Sequence, residues 1–158
     1  MADTQITELA GRHYLISQLL DEGIEVAVPV RDHGIDLIAY VDQIETLGQF
    51  FACPIQLKTA KDERFSLNRK YEKFPNLLMV YAWIPDNTIR VLYALTYKQA
   101  EALLQKGPTG TDHTKSDSWE KNGYYHLKAN SDWLTHLEPF KMKPGAWTNK
   151  IREAVKLA

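Results

Sequence analysis

Two short runs, Gly34-Ile35-Asp36-Leu37-Ile38 and Ile55-Gln56-Leu57-Lys58-Thr59, decide how this chain folds. Both are rich in apolar and β-branched residues, which predicts buried strands, yet each carries a polar residue inside the run. A carboxylate at Asp36 is costly in such surroundings unless it is paired or coordinates a ligand. Because side chains alternate along a strand, Gln56 and Lys58 are expected to project from the same face.

A turn near residues 45–48 would join these runs into a hairpin. A hairpin centred on Thr46 places Asp36 across from Gln56, whereas a β-bulge would shift that register by one residue. On the simplest pairing, an acid, an amide oxygen and the ammonium of Lys58 share one patch. Such a patch is suited to a divalent metal and a phosphate.

The composition is that of an ordinary globular protein, with 158 residues, 44% hydrophobic and 25% charged. This length predicts one domain, residues 1–158. No run approaches the roughly 18 apolar residues of a membrane helix, and the first residues do not resemble a secretory signal. Cys53 is the only cysteine, so the chain cannot form an internal disulfide, which fits a reducing compartment. We therefore expect a cytoplasmic protein with no membrane partner.

The charge is unevenly distributed although its net value is −1. Residues 1–57 carry 2 Lys/Arg and 9 Asp/Glu, while residues 58–158 carry 17 and 11. Such a split favours an acidic half that holds a metal and a basic half available to phosphate. The alternative is chance segregation of charge on a solvated surface.

The pattern along the chain predicts a mixed sheet flanked by helices, an α/β or α+β class. Strands are expected at residues 24–30, 35–41, 50–59, 77–83 and 89–95, and Pro54 indicates an edge or a bulge in the third. A capping box at Thr96 opens a helix, residues 109–123 read as a long surface loop, and residues 61–74 as a loop with a short helix. A short strand at 124–127, a helix capped by Ser131 and a last helix from about Pro144 follow. The first helix has an apolar stripe: Ile6, Leu9, Ala10, His13, Ile16, Leu19 and Leu20.

Glu8 in the first helix, Gly34-Ile35-Asp36 and Gln56-Leu57-Lys58, in that order, resemble the PD-(D/E)XK nuclease superfamily. The likeness is to its branch with Gln-x-Lys in place of Glu-x-Lys, which includes resolvase-like and restriction-type nucleases, and it extends over residues 4 to about 83. It implies a restriction endonuclease-like core, about residues 4–107, with a C-terminal elaboration of extra helices at about 108–158. Ile35 departs from the frequent proline of the family. Gln56 replaces an acid, which leaves two carboxylates and implies weaker metal binding.

The resemblance also implies a role for each residue. Asp36, the side-chain oxygen of Gln56 and the carbonyl of Leu57 would bind Mg²⁺, with Mn²⁺ as a substitute, and Glu8 would bind it through water or complete the acidic set. Lys58 would orient or deprotonate the attacking water, or stabilise charge in the transition state. Independently of the family, Mg²⁺ prefers hard oxygen ligands and keeps several waters, so one or two carboxylates plus substrate phosphate suffice.

Each of these residues also has a purely structural explanation. Asp36 could accept hydrogen bonds from the turn at 32–34, Glu8 could pair with Arg12 one turn later, and Gln56 and Lys58 could lie on a solvated strand face. The histidines and Cys53 lack the spacing of a zinc site.

The sequence therefore favours a Mg²⁺-dependent endonuclease that hydrolyses DNA phosphodiester bonds and acts as a homodimer or higher homo-oligomer. Lys61 and Arg64, just past the catalytic run, are the expected contacts to the phosphate backbone. Two alternatives remain: an inactive nucleic-acid-binding module on the same fold, and a protein-interaction module that docks through residues 109–123.

Overall fold

A computed structural model describes residues 4–42, 50–85 and 91–156 of the chain. Seven strands, five helices and three short 3₁₀ turns alternate along these ranges. The elements are α1 (Thr4–Asp21), β1 (Glu25–Ala27), β2 (Leu37–Asp42), β3 (Phe50–Ala60), β4 (Arg64–Asn68), a 3₁₀ turn (Arg69–Lys73), β5 (Leu78–Trp83), β6 (Val91–Thr96), α2 (Tyr97–Gln105), a 3₁₀ turn (His113–Lys115), α3 (Asp117–Asn122), β7 (Tyr124–Lys128), α4 (Ser131–Leu137), a 3₁₀ turn (Glu138–Phe140) and α5 (Trp147–Lys156).

Five strands form the main sheet in the order β1-β2-β3-β5-β6. β3 and β5 are parallel, and the other neighbours are antiparallel. The predicted mixed sheet flanked by helices is therefore confirmed. The predicted register is also confirmed, since Leu37 lies across from Ile55 and Ile38 across from Pro54. The turn centred on Thr46 lies outside the described residues.

Pro54 lies in a strand that is central rather than at the edge of the sheet. The backbone oxygen of Ile55 accepts from the β2 side, so the missing N–H of Pro54 falls on the β5 side. Pairing with β5 begins only at Ile55 and Leu78. The proline therefore lies where β3 has no neighbour on that side and costs no ladder hydrogen bond.

The sheet separates two buried clusters, one on each face. We call the face that carries the aromatic cluster the front face. That cluster includes Phe65, Tyr71, Tyr81, Trp83 and Trp119. The back face packs against α1 and α5 through residues such as Leu15, Leu19 and Trp147.

The first and last helices are joined on the back face by buried polar contacts. The indole Nε1 of Trp147 donates to Gln18 Oε1 at 2.7 Å. The Trp147 backbone N–H donates to the carboxylate of Glu22 at 2.8 Å. Residues 18 and 147 thus fix α5 on α1 across 129 positions of sequence.

The predicted apolar stripe of α1 coincides only in part with the buried face of that helix. Leu19 of the stripe is buried and Ile16 packs against the back cluster, whereas Ile6, Leu9 and Leu20 are 50–66% exposed. The other buried residues are Gly11, Leu15 and Gln18. A Cβ at Gly11 would come within 2.8 Å of Thr59. The helix therefore approaches the sheet along its small residue, which leaves part of the predicted stripe facing solvent.

Two predicted loops contain regular structure. Residues 64–68, expected in a polar loop, form β4, which pairs with the correctly predicted β7 in a second, two-stranded sheet. Residues 109–123, expected as a surface loop, contain a 3₁₀ turn and α3, whose Trp119 is buried.

The later helices follow their predicted signals closely. Thr96 and Gln99 form the expected capping box of α2, while Asn130 rather than Ser131 caps α4. Within the described ranges, no helix is both long and apolar enough to cross a membrane.

Candidate functional site

Asp36 lies immediately before β2, where that strand separates from β3. Its backbone N–H donates to Ile55 O at 2.9 Å. Its Oδ2 accepts hydrogen bonds from the Leu57 backbone N–H and from Gln56 Nε2, each at 2.7 Å. The Leu57 N–H lies past the last β2–β3 pair, Leu37 and Ile55, and the carboxylate of Asp36 takes the place of its missing strand partner. The same carboxylate holds Gln56 in direct contact with Asp36.

Gln56 is buried, with 6% of its surface exposed. Because an ionised carboxylate only accepts hydrogen bonds, the amide must turn Nε2 toward Asp36, and Nε2 also lies 3.3 Å from the Leu57 carbonyl oxygen. Gln56 Oε1 is left without a hydrogen-bond partner among the described residues. A buried oxygen without a hydrogen-bond partner costs about 1–3 kcal/mol of folding free energy. The amide oxygen therefore favours binding of a cation or of a hydrogen-bond donor.

Lys58 lies two residues further along β3 and contacts Tyr71. Its Nζ donates to Tyr71 Oη at 3.3 Å and lies 5.4 Å from the centre of the ring. Tyr71 packs closely against Gly34, since a Cβ at Gly34 would lie only 3.1 Å from Tyr71 Cε1. The same Cβ would lie 4.0 Å from Gln56 Oε1. Gly34 has φ +93°, a conformation that favours glycine. The glycine therefore leaves room for both Tyr71 and the amide oxygen.

Burial raises the pKa of Asp36 above its ordinary value. The Leu57 N–H opposes this shift, Asp32 adds to it, and the charges of Arg12 and Lys58 oppose it. Arg12 thus brings a cation from α1 to the site. Burial also raises the pKa of Tyr71.

Asp32 belongs to this electrostatic neighbourhood, although the sequence reasoning did not place it in the site. Its charge raises the pKa of both Asp36 and Tyr71, and its Oδ1 accepts from the Gly34 N–H at 2.9 Å. The Asp-x-Gly sequence, which is typical of a tight turn, was the available signal.

The other predicted site residues lie away from these contacts. Glu8 is exposed on α1, one turn before Arg12, and no hydrogen bond or ion pair among the described residues joins it to Asp36, Gln56 or Lys58. Arg64 Nε pairs with Asp62 Oδ1 at 2.6 Å. Lys61 is exposed just beyond the end of β3.

The donor atoms at Asp36 suit a hard cation more than zinc. Within the described part of the chain, no three His, Cys, Asp or Glu side chains converge on a possible metal position. A carboxylate, an amide oxygen and the Leu57 carbonyl are nevertheless ligands that Mg²⁺ takes, with waters and substrate oxygens completing the shell. The residues fit Mg²⁺ with one carboxylate in direct contact once the Gln56 amide turns over, because Nε2 rather than Oε1 faces Asp36 and the Leu57 carbonyl in this structure.

The comparisons with known proteins bear on the fold. No family model matches the chain, and no curated protein matches its sequence. A solved structure, "The structure of a bacterial homing endonuclease: I-Ssp6803I", superposes with a TM-score of 0.51 at 12% identity, over 99% of this chain and 96% of that one. This chain has a nuclease-like fold. The likeness extends over the C-terminal elements as well as the sheet, which agrees with the packing of α5 on α1.

Proposed function

We propose that this protein is a Mg²⁺-dependent endonuclease that hydrolyses DNA phosphodiester bonds. The observation that carries the proposal is the buried and unpartnered Oε1 of Gln56 beside the Asp36 carboxylate. With the Gln56 amide turned so that Oε1 faces Asp36, a metal would satisfy the orphaned oxygen and would neutralise a carboxylate whose ionised form burial disfavours.

The fold and the order of motifs support membership of the PD-(D/E)XK superfamily in its Gln-x-Lys form. Asp36 precedes the second strand, Gln56 and Lys58 lie on the third, and the neighbour with the same fold is described as a homing endonuclease. On this proposal residues 1–158 act as one nuclease domain.

Asp36, Gln56 Oε1 and the Leu57 carbonyl would hold the metal. When bound, Mg²⁺ polarises the scissile phosphate and lowers the pKa of the attacking water. Lys58 orients that water, and either its neutral amine takes the proton or its ammonium stabilises the charge that develops on phosphate. Tyr71 holds the Lys58 ammonium through Oη, and the exposed Glu8 takes part only through solvent.

Plasmid nicking tests the proposal. Supercoiled DNA is incubated with the full chain and Mg²⁺ or Mn²⁺, with chelator, and with metal restored after chelation. We expect relaxed circles only where metal is present. Intact plasmid under every condition, or cleavage that continues in chelator, contradicts the proposal, and cleavage of RNA alone would reassign the substrate.

An inactive DNA-binding module is the second candidate. It is favoured by one specific observation: among the acids in the described ranges, Asp36 alone has a hydrogen bond to Gln56 or Leu57. DNA binding without cleavage at any metal concentration would select this function.

We also propose that the protein acts as a homodimer, because one site cuts one strand. The exposed face of α1 supports pairing with a second copy. Its residues alternate at intervals of three and four, the repeat that packs one helix against another, over about 21 Å of helix. Ile6, Leu9, His13 and Leu20 are exposed, and Ile16 lies half-buried at the edge of this face, against the back cluster. The same stripe on each copy is self-complementary about a twofold axis.

Leu9→Glu is expected to convert the dimer to a monomer and raise its Kd at least about a hundredfold. Two copies of Leu9 each lose about 1.5–3 kcal/mol of apolar burial. Sedimentation equilibrium measures the change. Val28→Glu removes a valine of similar exposure outside α1, 57% against 50% for Leu9, and serves as the control. A monomeric wild-type protein, or equal effects of both variants, contradicts the proposed interface.

A further inference from the structure

An open, basic groove of about 680 Å³ lies beside the candidate site on the front face. One wall is the 3₁₀ turn Arg69–Lys73 and the other is the end of α3 with Gly123. The two walls come from parts of the chain about fifty residues apart. We call this feature the basic groove.

The walls of the basic groove are tied together by Arg69. Its backbone N–H donates to Gly123 O at 2.7 Å, and its Nη2 donates to Trp119 O at 2.7 Å. The guanidinium also lies 5.1 Å from the centre of the Trp119 ring. A Cβ at Gly123 would lie 3.1 Å from Arg69 Cβ, so the glycine permits this close approach. The groove is therefore pre-formed and needs little ordering to bind a partner.

The charge of the groove is strongly positive and only partly compensated. Its lining contains four cations, Arg69, Lys70, Lys73 and Lys121, against the single acid Glu72. Lys121 pairs with Asp117 at 3.1 Å. Among the described residues, no carboxylate forms an ion pair with Lys70 or Lys73. Their ammonium groups each lie 5.0 Å from the centre of an aromatic ring instead.

Ring contacts of this kind position an ammonium without neutralising it. Two such cations in a fixed concave surface match a polyanion with closely spaced charges, and a nucleic-acid strand carries one phosphate per about 3.4 Å of helix rise. By contrast, the guanidinium of Arg64, the contact expected from sequence, is paired with Asp62.

Tyr71 connects the basic groove to the candidate site. Lys58 Nζ and Lys70 Nζ lie 5.4 and 5.0 Å from the centre of the same ring. The distance between these two ammonium groups is therefore no larger than the helix rise over about three nucleotides of one strand. A strand with one phosphate at Lys58 therefore has a neighbouring phosphate within reach of Lys70, and Lys73 lines the same groove as Lys70.

We infer that the basic groove binds consecutive phosphates of the DNA strand next to the scissile bond, with Lys70 and Lys73 as the main contacts. This inference rests on the proposed function only for the identity of the bound strand. The groove contacts backbone and not base edges, so its contribution is independent of sequence.

Binding of a fluorescent duplex to the full chain without metal tests the inference over a series of salt concentrations. Lys70→Gln with Lys73→Gln is expected to reduce the slope of log K against log salt by about 1.8, since each lost phosphate contact removes about 0.9. Affinity at 0.1 M salt falls roughly tenfold to a hundredfold. Lys70→Arg with Lys73→Arg, which keeps the charges, retains the wild-type slope.

Arg152→Gln with Lys156→Gln is the matched control, because it removes two exposed cations from α5 on the back face. An unchanged slope in the Lys70/Lys73 variant, an equal fall in the control, or no DNA binding by the wild type overturns the inference. Nicking by the wild type with metal, measured separately, decides the proposed function. Cleavage by the wild type together with an unchanged salt slope in the Lys70/Lys73 variant would therefore contradict DNA binding in the basic groove and would still support the proposed nuclease function.

Discussion

Lys58→Ala is expected to reduce the single-turnover rate of plasmid nicking by roughly 10²–10⁴-fold, the usual contribution of a positioned acid–base group. Stability should change little, since the described contacts of Lys58 are one long hydrogen bond to Tyr71 and its position over the ring. Such a bond contributes about 1 kcal/mol. Rates are measured with metal and enzyme in excess, and thermal unfolding is measured on the same samples.

Two further substitutions define what Lys58 does. Lys58→Arg keeps a cation but cannot accept a proton, so activity near wild type would assign Lys58 to charge stabilisation, and loss would assign it to proton transfer. Lys156→Ala, which removes an exposed lysine of α5 on the back face, is the control. A Lys58→Ala variant that nicks plasmid at the wild-type rate would contradict the proposed role of Lys58 in catalysis.

Asp36→Asn is expected to abolish metal-dependent nicking, with a loss of at least about 10³-fold, and not to lower the melting temperature. Burial raises the pKa of Asp36, so its ionised form destabilises the folded protein. That cost is complete above the folded pKa and disappears as pH falls below the unfolded value of about 3.9. Asparagine avoids the cost, and its amide can pair with Gln56 Oε1 after the glutamine amide turns over.

Thermal unfolding with and without metal provides a test independent of activity. Mg²⁺ or Mn²⁺ should stabilise the wild type by about 1.4 kcal/mol at ten times the Kd, and should not stabilise Asp36→Asn. The melting temperature of the variant should exceed that of the metal-free wild type most at neutral pH. The difference should close as pH falls toward 4. Equal metal stabilisation of both proteins would contradict Asp36 as a ligand.

The register of β2 against β3 was accessible from sequence because it depends on the alternation within two neighbouring runs and on the centre of the turn that joins them. Side-chain alternation in the two runs, together with the centre of the hairpin, was enough to predict that Asp36 and Gln56 lie across from each other. The orientation of the Gln56 amide was not accessible, since it follows from the hydrogen bond to Asp36 in three dimensions. That orientation decides whether an oxygen is free for a ligand.

The errors arise where tertiary packing decides between equivalent local patterns. In α1, residues 6, 9 and 20 and residues 11, 15 and 19 both repeat at helical spacing, and only the close approach of Gly11 to Thr59 selects the second set. β4 is short and polar on one face, and its strand character depends on pairing with β7, which lies far along the chain. The cations of one wall of the basic groove belong to a basic run, residues 58–73, that is visible in the sequence. The groove itself was not accessible, because its second wall lies about fifty residues further along the chain.

The buried bond between Gln18 and Trp147 has a consequence for the order of events during folding. The helix that carries Arg12, whose charge acts on Asp36, completes its packing only when α5 docks. Contacts of such long range form late in folding. We therefore expect the electrostatic surroundings of Asp36 to be completed in a late step of refolding, after the central strands have paired.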